Sequence, residues 1–333
     1  MYHEYYGLTD RPFQLTPDAR FWFGSRAHKK AMAYLGYGLA QGEGFIVITG
    51  DIGAGKSTLV GHLMATIDRS RLNAINIVST QVEGDDMLRL AAQGMGLFTD
   101  GVAKAQLLER VERHLEDEAR LGKRSLLIVD EAQNLSLSAL EELRMLSNFQ
   151  VGGQALLQIF LLGQPEFRDK LAGESLEQVR QRVIATHHLE PMEPNEVEPY
   201  IVHRLKTVGW VGNPVIEIPA FAELYRHTGG VPRKINQFAG RLLLHAAVEE
   251  LDTIDADTVL AVAEDLDEDA AHPTTPDRTV SHGSDTLRDL GLERRVATLE
   301  AQLDEQDRAM RRVLTLLVDW VEGEDDAIIH NAA

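Results

Sequence analysis

Between residues 45 and 192, short apolar runs alternate with longer segments in which apolar positions recur every three or four residues. Runs of strand length suit strands buried on both faces of a parallel sheet, and the longer segments suit helices that cross back over it. Five strands are predicted: "FIVIT" at 45–49, "NAINIVS" at 73–79, "SLLIVD" at 125–130, "LLQIFLLG" at 156–163 and "THHLEPM" at 186–192. The fold class is α/β.

From 194 onward the β-like runs stop. "PNEVEPYIVHRLKTVG", "PAFAELYRHTGG", "PRKINQFAGRLLLHAAVEE" and "DADTVLAVAEDL" each open with Pro, Asn or Asp and carry helical spacing. The organisation expected is therefore an α/β domain over 1–193 and a small all-α domain over 194–264. Residues 265–286 are acidic and rich in Pro, Ser and Thr, with almost nothing to bury, and read as a linker.

Beyond the linker, Leu292, Val296, Leu299, Leu303, Gln306, Met310, Val313, Leu317 and Trp320 alternate spacings of four and three. That seam predicts a coiled coil over 287–322, with an amphipathic helix folded back on the body as the alternative. At about 1.5 Å per residue it would reach on the order of 40 Å. Such a rod would serve as a handle for protein partners or for a second copy, and 323–333 would be an acidic tail.

A length of 333 residues allows two domains with ample cores. The net charge of −19 is concentrated in residues 264–333, which hold 18 acidic and 7 basic side chains. This balance argues against nucleic acid as a partner, because backbone phosphates call for clustered Lys and Arg. With no cysteine, thiolate nucleophiles and Cys-ligated metals are excluded. No run approaches the length of a membrane span, and "MYHEYYGLTD" has neither the basic nor the apolar region of a secretory signal. A cytoplasmic protein without membrane insertion is expected.

Chemistry enters directly after the first strand. "GDIGAGKST" comprises Gly50, Asp51, Ile52, Gly53, Ala54, Gly55, Lys56, Ser57 and Thr58, and fits G-x-x-x-x-G-K-[ST] between a strand and a helix. Its glycines allow main-chain N–H groups to curl round a phosphate, Lys56 can reach the β and γ oxygens, and Ser57 offers a hydroxyl to Mg²⁺.

The third strand ends in "SLLIVDEAQNL", two adjacent acids after four apolar residues. A strand edge followed by a helix cap would explain them alone. Opposite a phosphate loop they suit a site in which Asp130 holds Mg²⁺ and Glu131 polarises the attacking water. Gln164, at the end of "LLQIFLLGQPEF", is either a contact to the γ-phosphate or water, or a turn residue before Pro165. No Asn/Thr-Lys-x-Asp motif for guanine is found, which favours ATP.

These residues resemble AAA+ ATPases of the general secretion pathway protein A type. The resemblance covers roughly 1–265 and is carried by "YYGLTDRPFQLTPD", "GDIGAGKST", "LLIVDEAQNLS", "ELRMLSNFQ", "LLGQPEFRDKL", "QRV" and "TGGVPRKIN". Within the group, "YYGLTDRPFQLTPDARFWF" and "LEELRMLSNFQVGGQALLQIFLLGQPEF" are most similar to the ATPase of exosortase, or PEP-CTERM, systems and their exopolysaccharide loci.

The resemblance implies a strand order of 5-1-4-3-2, a helical lid, ATP with Mg²⁺ as ligands, and a homo-oligomer. Gln164 then matches the sensor-1 position and Arg233 the sensor-2 arginine. Arg182, with Arg180 second, would be an arginine finger acting on a neighbouring subunit. Pro12 and Phe13 would lie near the adenine or pack under the sheet. One departure is that this chain continues into an acidic linker rather than a membrane span and cell-wall-binding region, which puts a direct peptidoglycan role in doubt.

The implied function is ATP hydrolysis that assembles or regulates a cell-surface machine. An ATP-dependent DNA-binding helper, or a nucleotide-switched coiled-coil scaffold, would be the alternatives. His187 and His188 have no acids at metal-ligand spacing and read as polar fill, and Asp85 and Asp86 read as a solvated helix start.

Overall fold

A computed structural model describes residues 2–78 and 82–271. The coiled coil and acidic tail expected from the sequence lie outside the described residues, as does most of the linker.

The parallel sheet has five strands: β1 (Phe45–Gly50), β2 (Leu72–Val78), β3 (Arg124–Asp130), β4 (Leu157–Gly163) and β5 (Val183–Leu189). Their order is β2-β3-β4-β1-β5, the order the resemblance implied. Every residue of β1 and of β4 is buried, as expected where helices cover both faces.

Alternate residues of each strand feed two different cores. Val47, Val129 and Leu161 pack with Met87, Leu140 and Phe167 on one face, and Ile46, Ile128 and Phe160 pack with Leu35 and Leu59 on the other. The strands therefore fix two hydrophobic layers at once.

The fifth strand begins three residues earlier than the sequence predicted. Pro191 has no N–H to give the ladder, and the Met192 N–H is donated to the Gly230 carbonyl at 2.9 Å instead. The strand thus ends at Leu189, and the chain turns toward the helices.

Among the described residues, six helices of eight residues or more pack on the sheet: α1 (Arg26–Gln41), α2 (Lys56–Thr66), α3 (Gly84–Gly94), α4 (Lys104–Arg120), α5 (Leu137–Leu146) and α6 (Pro165–Ala172). Asp85 and Asp86 do open α3, and Asp85 pairs with Lys104 at 2.9 Å. His187 and His188 lie within β5, where His187 stacks on Tyr34 with ring centroids 5.3 Å apart and His188 Nδ1 meets Thr49 Oγ1 at 3.0 Å.

Four more helices follow: α7 (Pro194–Thr207), α8 (Ile218–Thr228), α9 (Pro232–Val248) and α10 (Ala256–Ala271). Proline stands at the first or second position of α7, α8 and α9, where its missing N–H costs nothing. The bundle is not purely helical, because Val215–Ile216 pairs in parallel with Thr253–Ile254. Helix α10 also runs seven residues into the segment read as a linker, and Leu266 packs against the bundle core.

The amino-terminal segment joins this third core. Tyr6, Leu8, Phe13 and Phe21 are buried with Val197, Ile201, Leu224 and Phe238, although the sequence reading assigned residues 1–193 to the α/β domain. Arg204 holds the segment from α7: its Nε donates to the Pro12 carbonyl at 2.6 Å and its guanidinium lies 4.5 Å from the Phe21 ring centroid. The described residues fall in one compact unit that ends at Ala271.

Candidate nucleotide site

The loop between β1 and α2 turns twice through left-handed backbone, at Gly53 (φ 88°) and Gly55 (φ 97°). A side chain could not be added at either place without strain. At Gly53 a Cβ would also lie 2.4 Å from the Arg233 Cβ, so the loop touches the first turn of α9 directly. The Arg233 N–H confirms the contact by donating to the Gly53 carbonyl at 3.2 Å.

Lys56 is 7% exposed, and its Nζ donates to the carbonyls of Gly50 at 2.6 Å and Asp51 at 3.1 Å. Burial lowers its pKa, while the nearby Glu131 and Asp130 carboxylates act to raise it. An ammonium held this way has main-chain acceptors alone, and a phosphate arriving in the loop offers it a better partner.

Asp130 ends β3, and its Oδ2 accepts from Ser57 Oγ at 3.2 Å. Burial raises its pKa, with the Glu131 charge adding to that effect and hydrogen bonds from Glu131 N–H and Ser57 working against it. A hydroxyl beside a desolvated carboxylate is the donor set that suits a hard divalent cation such as Mg²⁺. Among the described residues no cluster of three or more His, Asp or Glu forms a separate metal site.

Glu131 adopts φ 55° and ψ 39°, a conformation that costs a non-glycine residue energy. The turn swings its side chain away from the strand and toward Gln164, so two adjacent acids diverge. Glu131 Oε2 accepts from Gln133 Nε2 at 2.5 Å and from Gln164 Nε2 at 3.4 Å, and the Gln164 N–H donates to Gln133 Oε1 at 3.0 Å. Gln164 is the N-cap of α6, so it is a turn residue before Pro165 and a neighbour of the acid at once.

A cleft of about 260 Å³ opens here, lined by Gly53, Lys56, Ser57, Glu131 and Gln164 on one side and by Tyr200, Arg233 and Asn236 on the other. Comparison with known proteins gives this geometry its context. Residues 39–171 match the AAA domain family. General secretion pathway protein A of Aeromonas hydrophila is 35% identical over 247 residues, which is 74% of this chain and 45% of that protein.

Gly53, Lys56, Ser57, Glu131 and Gln164 all fall within the AAA domain match, and the chain is similar to general secretion pathway protein A. It spans less than half the length of that relative. Among solved structures, the Aeropyrum pernix ORC2 protein in its ADPNP-ADP complexes has a TM-score of 0.57 at 16% identity, covering 77% of this chain and 71% of that one. Cdc6p from Pyrobaculum aerophilum has a TM-score of 0.56 at 15% identity, covering 78% and 71%. Both are similar in fold.

Arg182 and Arg180 stand apart from the cleft. Arg182 precedes β5, and its carbonyl accepts from the Phe45 N–H at the start of β1. The phosphate loop follows the other end of β1, roughly 20 Å away at about 3.3 Å per residue. Arg182 Nη1 donates to the Ser147 carbonyl and Oγ, both at 3.4 Å, while Arg180 Nη1 donates to the Ala172 carbonyl at 2.9 Å.

Pro12 and Phe13 are fixed by the helical bundle rather than packed under the sheet. The cleft wall on that side is built instead from Gln14 to Asp18 and from Phe21, Trp22 and Phe23. His28 also lines the cleft, Trp22 stacks on His62 with centroids 4.1 Å apart, and Tyr200 OH donates to Asn236 Oδ1 at 2.8 Å. Sequence reasoning missed all of these. The only local signal was Ser25, three residues before His28 at the start of a helical run. No helix among the described residues is long and apolar enough to cross a membrane.

Proposed function

We propose that the protein hydrolyses ATP with Mg²⁺ at this cleft and uses the resulting movement of the bundle α7–α10, acting as a lid, to assemble or regulate a cell-surface machine. The observation that carries the chemistry is that Lys56, Ser57 and Glu131 line one cleft, with Asp130 hydrogen-bonded to Ser57, although they follow or end two strands that are not neighbours.

In this reading the main-chain N–H groups of residues 53–58 and the amino end of α2 hold the β-phosphate. Lys56 exchanges its carbonyl partners for phosphate oxygens. Ser57 and Asp130 would hold Mg²⁺, which would supply charge neutralisation at the phosphates. Glu131 accepts a proton from the attacking water and Gln164 orients it, while Arg233, tied to Gly53, senses the state of the loop.

Arg182 lies at the wrong end of its own sheet to help, so it serves the nucleotide of a neighbouring subunit in a homo-oligomer. The client, an exopolysaccharide or exosortase-linked system in the cytoplasm-facing part of the envelope, rests on the likeness of "YYGLTDRPFQLTPDARFWF" and "LEELRMLSNFQVGGQALLQIFLLGQPEF" to that subgroup. Partners would dock through the predicted coiled coil.

Steady-state ATP hydrolysis per protomer, measured with Mg²⁺ over a wide range of protein concentration, tests the enzymatic part. Turnover that is lost in Lys56→Ala and rises with concentration supports it, and absence of turnover at every concentration would falsify it. Surface polysaccharide in cells carrying Lys56→Ala tests the client, and unchanged polysaccharide would remove that assignment.

A further inference from the structure

His28 sits in the first turn of α1, 6% exposed, with its ring against the phosphate loop. Its surroundings settle its chemistry. Ser25 is the N-cap of α1, and its Oγ already accepts the His28 main-chain N–H at 3.3 Å. The same Oγ lies 2.7 Å from His28 Nδ1. If the hydroxyl proton is directed at Nδ1, both polar atoms are satisfied and the ring proton is left on Nε2.

Nε2 is the atom nearest to the loop. A Cβ added at Gly55 would lie 2.6 Å from it, so the Nε2 edge of the ring abuts the Gly55 main chain directly. Gly55 is where the loop passes through φ 97° into α2, and its carbonyl also accepts the Leu59 N–H at 2.9 Å. Trp22 closes the far side of the ring edge-on, with centroids 5.2 Å apart. Burial pushes the imidazole pKa down to about 4, so the ring is neutral wherever the fold is stable.

We propose that His28 is a positioning residue for the phosphate loop, an Nε2–H tautomer whose Nδ1 accepts from the Ser25 hydroxyl and whose Nε2–H donates to the Gly55 main chain, fixing the turn from which α2 presents Lys56 and Ser57. This goes beyond the nucleotide reading and rests on it for its functional consequence. A buried imidazole packed merely to fill space would need neither a defined tautomer nor a donor at the Nε2 position. The relay Ser25, His28, Gly55 also ties the segment after Trp22 to the loop, so the cleft's two walls share one hydrogen-bonded seam.

The tautomer comes first, because it is read without nucleotide. Nitrogen-15 imidazole spectra of the full chain, with the His28 signal assigned by its loss in His28→Gln, should show the proton on Nε2, and a proton on Nδ1 overturns the proposal. The second measurement is the affinity for Mg·ATP, by competition with a fluorescent nucleotide, in wild type, His28→Ala, His28→Gln and His28→Asn.

The Gln amide nitrogen can reach the Nε2 position, whereas that of Asn reaches only the Nδ1 position. The expected result is a loss of about tenfold or more in His28→Ala and His28→Asn, as for one lost hydrogen bond to an organising main-chain group, with His28→Gln recovering most of it. Equal losses in Gln and Asn, or none in any variant, overturn the proposal. Wild-type protein that binds no nucleotide, while its tautomer is as stated, would instead count against the ATPase reading.

Discussion

Ser57 Oγ donates to Asp130 Oδ2 at 3.2 Å, joining residues 73 positions apart: one in the first turn of α2, after β1, the other at the end of β3, a strand that does not touch β1. Strand β4 lies between them, and its carboxyl end delivers Gln164 to the same place. Three separate strand ends thus meet at one mouth, as ligand sites at the carboxyl edge of α/β sheets do.

The cost of that arrangement is readable in Asp130. Burial raises its pKa, so between the unfolded and folded values the folded state binds more protons than the unfolded one. Stability is then greatest below the unfolded value and declines as pH rises to the folded one. Asp130→Asn removes the buried charge while keeping an acceptor for the Glu131 N–H, and its NH2 can donate to the Ser57 hydroxyl oxygen. Nucleotide-free Asp130→Asn should melt higher than wild type at neutral pH, by on the order of 2 °C for a chain of this size, with turnover lost. Thermal denaturation at neutral pH and at successively lower pH toward the ordinary carboxylate range checks the sign: the advantage should shrink as pH falls.

Glu131 makes a different prediction because its turn separates it from the cation site. Glu131→Gln preserves the shape and the contacts to Gln133 and Gln164 but cannot take a proton. Affinity for Mg·ATP should stay within about twofold of wild type while single-turnover hydrolysis falls by roughly 10²–10⁴. Equal losses in affinity and rate would assign Glu131 to binding instead.

Gly53 and Arg233 couple the loop to the bundle through backbone contact. Gly53→Ala forces a positive φ on a residue with a Cβ and drives that atom into Arg233, and should cost about 1–3 kcal/mol of stability together with nucleotide binding. Arg233→Ala leaves the Arg233 N–H to Gly53 hydrogen bond in place. Its unfolding midpoint in urea should be close to wild type, with the defect confined to turnover.

Much of this site was legible in the chain because its information is local. The phosphate loop is nine consecutive residues, and Asp130 and Glu131 follow an apolar run that can only be a buried strand. The opposite wall was not legible. Trp22 and His28 follow an amino-terminal segment that packs into the core of α7–α10, and they share the cleft with Tyr200 and Asn236 of that bundle, a pairing across nearly 200 positions that periodicity does not encode. The fifth strand was misplaced for a simpler reason: Thr186 to Met192 looks like one run, yet Pro191 removes the ladder donor and Val183 to Ala185 supply the missing start. Helix α10 was cut short because acids dominate its last turns, although helices tolerate acids on a solvated face.

Arg182 gives the last prediction, and it follows from strand direction alone. In a parallel sheet the residues before β5 and those after β1 are at opposite edges, so no rotamer of Arg182 reaches the phosphate loop of its own subunit. Its contacts to Ser147 at 3.4 Å are long, and it stands beside Arg144, Gln178 and Gln181 on an open face. Arg182→Ala should therefore bind Mg·ATP normally and hydrolyse it slowly, by about 10³-fold or more if the guanidinium neutralises transition-state charge. Lys56→Ala should be inactive for the opposite reason, having an intact arginine and a damaged loop. Mixed together, the two variants place an intact Arg182 against an intact phosphate loop at some interfaces, and hydrolysis should reappear. A mixture as inactive as its components, under conditions where sizing shows mixed oligomers, would remove Arg182 from the active site.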